Sequence, residues 1–113
     1  MLFRPAVFEP TFQKHARTAC GGCQVHVTDR AAFRPVLTGV ALIGMFRRFA
    51  PDRELWRQPP YEYEHTKLPF DILSGSSTLR EQIEAGVPAR DIAGSWGAEV
   101  AAFEKIRTRF LLY

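Results

Sequence analysis

The sequence has no apolar run long enough to cross a membrane. Its longest apolar-rich stretch, residues 36–46, falls well short of the roughly 20 residues that a spanning helix needs. Two cysteines among 113 residues are too few for a disulfide scaffold. Charge of one sign is also scarce, with a formal net charge of +3. The basic residues are scattered apart from Arg47 with Arg48 and the end carrying Lys105, Arg107 and Arg109, and no aromatic-interleaved basic stripe appears. That excludes the footprint of a nucleic-acid binder and leaves a weak preference for anionic ligands. There is no internal repeat, no low-complexity tract, and no GxSxG, HExxH or phosphate-loop pattern. The opening MLFRPAVFEP has no apolar core of the kind a signal peptide needs, and Pro5 interrupts it.

What remains is ordinary globular material: 46% hydrophobic and 24% charged residues argue against disorder. A chain of this length is expected to form a single domain over residues 1–113 and to bury about two-thirds of its unfolded surface. RPAVFEP, residues 4–10, reads as a short strand bounded by prolines. TFQKHARTACGG is a connection with a turn at Gly21 and Gly22. CQVHV, residues 23–27, alternates: Cys23, Val25 and Val27 share one face, and Gln24 and His26 share the other. A helix follows over 35–49, with Pro35 in its first turn, apolar residues almost all round and Arg47 and Arg48 at its end. It should be the central buried helix, met by the apolar face of the strand.

ELWRQPPYEYE reads as two short extended pieces split by Pro59 and Pro60, with Tyr61 and Tyr63 on one side and Glu62 and Glu64 on the other. LPFDILSGS is a short helical turn at most. Thr78 with Glu81 three residues later has the pattern of a capping box, and Gly86 closes that helix before Pro88. Ile92, Trp96, Val100, Phe103 and Ile106 keep helical spacing throughout a last helix, and RFLLY should tuck onto the core. The expected fold is α+β, one compact domain with a small, about three-stranded sheet packed against three or four helices.

HARTACGGCQVHVTD holds both cysteines and two of the three histidines. A tetrahedral metal site would need His15, Cys20, Cys23 and His26 to converge. On a strand, Cys23 and His26 point to opposite faces, so the set is incomplete and no metal is expected. A redox CxxC pair sits at a helix N-terminus, where the dipole lowers a thiol pKa, whereas Cys23 enters a strand. Cys23 therefore reads as a small core residue and Cys20 as a thiol near a turn. The face carrying Gln24, His26 and Thr28 is either solvated or a ligand surface. Tyr61 and Tyr63 either pack or form a sugar-stacking wall. Glu62 and Glu64 are either a catalytic pair or surface charge.

Taken in order, FEPTFQKH, CGGCQVHVTDR, FRPVLTGVALI, PPYEYE, LPFDILSGS and FLLY resemble the C-terminal domain of NamZ-type exo-β-N-acetylmuramidases, from about Phe3 to the C-terminus. Cys23 departs from the family, which commonly has an aliphatic residue there. The resemblance implies a bacterial glycoside hydrolase that releases N-acetylmuramic acid from the non-reducing end of peptidoglycan fragments. It implies a larger N-terminal Rossmann-like domain bearing the proposed catalytic glutamate, with the cleft between the two parts. The chain would then be an isolated domain or a truncated gene product, inactive alone, with no cofactor. Within that resemblance Lys14, His15, Gln24, His26, Tyr61 and Tyr63 are the expected substrate-binding residues. A standalone protein-interaction module and a small thiol or zinc protein are the alternatives.

Overall fold

A computed structural model describes residues 1–112 of the chain. The chain divides into two compact units, one ending at Arg34 and the other beginning at Pro35. The class is α+β, with two strands among the described residues where about three were expected.

The first unit is a β-hairpin. β1 (Leu2–Phe8) pairs antiparallel with β2 (Cys20–His26), in a register running from Leu2 opposite His26 to Phe8 opposite Cys20. Pro5 is tolerated in β1 because each strand of a two-stranded sheet has an open edge that needs no N–H donor. The pleat puts Arg4, Phe8, Cys20, Gln24 and His26 on one face and Phe3, Val7, Cys23 and Val25 on the other. Gly21 and Gly22 lie inside the ladder, opposite Val7 and Ala6, instead of forming a turn. The connection is 9–19. At the open end of the hairpin the Met1 amino group donates to Thr28 Oγ1 at 2.6 Å. Asp29 Oδ1 accepts from the N–H groups of Ala31 and Ala32, an Asx turn that ends the unit. Only Ala6, Cys20 and His26 are half-buried within the two strands. Cys23 is exposed, and Val25 and Val27 keep 37% and 41% of their surface. The expected core role of Cys23 is thereby corrected.

The second unit is helical: α1 (Pro35–Phe49), α2 (Pro69–Ser74), α3 (Thr78–Glu84), α4 (Ala89–Ser95) and α5 (Gly97–Arg107), followed by a 3-10 turn at Thr108–Phe110. Its core is small. Val40 of α1, Ile83 of α3 and Ile92 of α4 are buried, with Ile43, Trp56, Phe70, Leu79, Val87 and Trp96 packed around them. α1 presents one face to α3 and α4 and leaves Val36, Met45, Phe46 and Phe49 exposed, so it borders the core instead of running through it. The proposed capping box does not form. Ser77, not Thr78, is the N-cap, and the Glu81 N–H bonds to the Ser77 carbonyl. Gly86 does close α3 in the left-handed region at φ 73°, the conformation glycine adopts without strain.

Three further expectations are corrected. The long last helix breaks at Trp96 between Gly94 and Gly97, residues of low helix propensity. The described part of RFLLY is exposed, with Phe110 at 76% and Leu112 at 94%; Tyr113 lies outside the described residues. PPYEYE is no strand. Tyr61 and Glu64 exchange two backbone hydrogen bonds around a tight turn that has Glu62 at φ 53°.

One charged fork fastens the helices. Arg80 Nε donates to Asp71 Oδ1 at 2.9 Å and Nη2 to Oδ2 at 3.1 Å, linking α3 to α2. Its Nη1 donates to Glu84 Oε2 at 3.1 Å, and Glu84 Oε1 accepts from Trp56 Nε1 at 2.7 Å. The Trp56 ring in turn lies 4.5 Å from that of Phe70.

Because Ile92 is 1% exposed, Ile92→Ala should destabilise the chain by about 2–5 kcal/mol in a denaturant titration. Phe49→Ala, at a residue 77% exposed, should stay within about 0.5 kcal/mol. Equal losses would contradict the placement of the core.

Candidate functional site

The sequence-selected residues fall in two groups, one in each unit. In the hairpin, alternation along β2 puts Gln24 and His26 on one face, Gln24 opposite Arg4 and His26 opposite Leu2. Gln24 is exposed. His26 is half-buried, and its Nε2 is shut off from solvent without a hydrogen-bond partner. An imidazole nitrogen in that condition retains an unused hydrogen-bonding capacity.

Lys14 and His15 sit on the 9–19 connection. Three non-glycine residues there hold left-handed backbone: Gln13 at φ 60°, His15 at 58° and Arg17 at 60°. Such conformations cost energy and persist only where the surroundings fix them. The fixing bonds run from Arg17 N–H to the Pro10 carbonyl at 2.9 Å and from Thr18 N–H to the His15 carbonyl at 3.0 Å. The result is an exposed loop carrying the cations of Lys14 and Arg17.

In the helical unit, Tyr61 is half-buried and the Arg57 guanidinium lies 5.4 Å from its ring centroid, a cation–π contact. Tyr63 is 97% exposed, so the two tyrosines do not form one wall here. Glu64 is engaged locally. Its Oε1 accepts from Thr66 Oγ1 at 2.7 Å, from the Thr66 N–H at 2.7 Å and from the Lys67 N–H at 3.1 Å. The Thr66 hydroxyl above all, then these two N–H groups, pull its pKa from 4.5 to about 2, with a smaller contribution from the Lys67 charge. A glycosidase general acid needs the opposite shift. Glu64 is thus a clamp on its own turn, not a proton donor.

Sequence reasoning did not find what lies beside that clamp. Glu64, Thr66, Lys67, Asp71, Ser77 and Arg80 line an open cleft of about 750 Å³. The available signal was a carboxylate two and three residues ahead of free N–H groups. Asp71 and Arg80, nine residues apart, carry no such local signature.

Among the described residues no group of three or more histidine, cysteine or acidic side chains converges as a metal site. Cys20 and Cys23 fall on opposite faces of β2, and the Cys20 thiol donates to the Thr18 carbonyl at 3.4 Å.

Comparison with known proteins adds a family. The model for "Exo-beta-N-acetylmuramidase NamZ, C-terminal" matches residues 1–113. The peptidoglycan beta-N-acetylmuramidase NamZ of Bacillus subtilis (strain 168) is 36% identical over 113 residues, a match covering 100% of this chain and 25% of that protein. The chain thus spans about a quarter of that relative's length. No solved structure matches.

The Glu64 clamp has a signed pH dependence. A carboxyl whose folded pKa is lowered contributes stability in full above its ordinary value of 4.5, and loses it as pH falls toward about 2. The Glu64 side-chain carboxyl resonance should titrate with a midpoint near 2. The advantage of the wild type over Glu64→Gln in thermal melting should be constant above about pH 5 and shrink below it. A midpoint at the ordinary carboxyl value would mean the three hydrogen bonds are absent in solution.

Proposed function

The chain belongs to the family of C-terminal domains of exo-β-N-acetylmuramidase NamZ, and on that premise we propose that it completes the cleft of a peptidoglycan exo-β-N-acetylmuramidase and positions the substrate there. The observation that carries the proposal is His26. Its shielded, unpartnered Nε2 lies on the same strand face as the exposed amide of Gln24. Two polar groups held on a strand are the kind of fixed contact a sugar site uses, and a hydroxyl would satisfy the idle nitrogen once the imidazole turns outward to uncover it.

In this reading Gln24 and His26 meet the hydroxyl and acetamido groups of a terminal N-acetylmuramic acid. Lys14 and His15, on the fixed loop, take its lactyl carboxylate through charge-assisted bonds. On the helical unit Tyr61 and Tyr63 are separate candidate sugar contacts, and the exposure of Tyr63 leaves its ring open. Hydrolysis needs placed carboxyl groups. Glu64 is unsuited to proton donation, so the acid would come from a larger Rossmann-like N-terminal domain, the partner that the family resemblance implies. A thiol or zinc function is disfavoured by the opposite facing of Cys20 and Cys23.

The chain alone should not turn over a chromogenic N-acetylmuramic acid glycoside. In the two-domain enzyme His26→Ala should lower kcat/KM about tenfold, the equivalent of about 1.4 kcal/mol. The same change should shift the chain's own stability by no more than about 1 kcal/mol. Turnover by the chain alone would overturn the division of labour, and unchanged kinetics would remove β2 from the cleft.

A further inference from the structure

α5 is an anomaly within its unit. Every residue from Gly97 to Arg107 is exposed, including Val100 at 50%, Phe103 at 61% and Ile106 at 55%. A helix of 11 residues without a packed face is marginal in water. These three apolar side chains recur at three-residue spacing, so they share one stripe.

The stripe is symmetric about Phe103. Val100 precedes it by three residues and Ile106 follows by three. Glu99 precedes it by four and Arg107 follows by four. At 3.6 residues per turn, Glu99 and Arg107 lie on the Phe103 side of the helix, whereas Glu104 and Lys105 turn away from it. Such a face is complementary to itself when reversed. An antiparallel pair of α5 helices related by a two-fold axis at Phe103 sets Phe103 against Phe103, Val100 against Ile106, and Glu99 against Arg107 twice. This is the self-matching that a two-fold interface requires. The acidic start and basic end of α5 add favourable dipole ends at each charge contact.

We propose that α5 is a homodimerisation helix, covered by α5 of a second copy of this chain in an antiparallel, two-fold pair centred on Phe103. The proposal is independent of the cleft reading and makes no use of the hairpin.

Multi-angle light scattering of the chain across a concentration series tests it. The wild type should reach the dimer mass. Phe103→Glu, at an exposed position, should weaken the dimer at least tenfold with unchanged circular dichroism of the remaining helices. Glu99→Arg and Arg107→Glu should each weaken it several-fold, because each sets like charges together at both ends. The double variant E99R/R107E should recover near-wild-type association, because the reversed pattern is again self-matching. A monomer at all concentrations would overturn the proposal. So would a dimer indifferent to Phe103→Glu, a double variant no better than the singles, or protection of α5 only when the rest of a longer chain is attached.

Discussion

The helical unit depends on one side chain, Arg80. α2 and α3 have six and seven residues, lengths at which helices do not stand alone in water. Tertiary contacts must therefore hold them. The buried core they share with α1 and α4 is small, with Val40, Ile83 and Ile92 at its centre. Arg80 adds a second, directional tie. Its planar fork matches the Asp71 carboxylate with two parallel bonds, and its remaining nitrogen holds Glu84 in place to receive the Trp56 indole N–H. The Asp71 partnership raises the Arg80 pKa further above its ordinary value, so the cation persists across any accessible pH. The tie also shapes the cleft next to the Glu64 turn, because Asp71 and Arg80 form one of its walls.

This arrangement separates two kinds of polar residue in the chain. Glu64, Asp71 and Arg80 have local partners, and their chemistry is consumed in holding the fold. Gln24, Lys14 and Arg17 are exposed, and His26 has a nitrogen without a partner. Residues of the second kind keep hydrogen-bonding capacity that the fold does not use. The hairpin that carries them has little core of its own, and two-stranded hairpins are marginal in isolation. A role that brings further protein or substrate onto it is in keeping with that architecture.

Much of this was legible in the sequence where the signal is local. Alternation fixed the facing of Gln24 and His26, and Pro35 with Arg47 and Arg48 marked both ends of α1. Gly86 marked the end of α3 for a stereochemical reason that survives any context. The failures arise where local pattern and tertiary environment part. Tyr61 to Glu64 alternate as a strand would, yet Glu62 enters the left-handed region and the chain turns. Val100, Phe103 and Ile106 have the spacing of a core-facing helix, and spacing cannot say whether a core is there to receive them. The glycines at 21 and 22 resemble a turn, but nothing prevents glycine from being extended opposite Val7 and Ala6. The pairing of Asp71 with Arg80 was invisible because it depends on how two short helices dock.

The central claim is that the Gln24–His26 face of β2 borders a sugar-binding cleft. A crystal structure of the proposed two-domain enzyme with N-acetylmuramic acid bound tests it most directly. The account predicts the sugar on the Gln24–His26 face, with Gln24 contacting it and the His26 ring turned outward so that a sugar oxygen lies within about 3.2 Å of Nε2, the range of a real hydrogen bond. A sugar bound elsewhere, with His26 Nε2 still unpartnered, would contradict it.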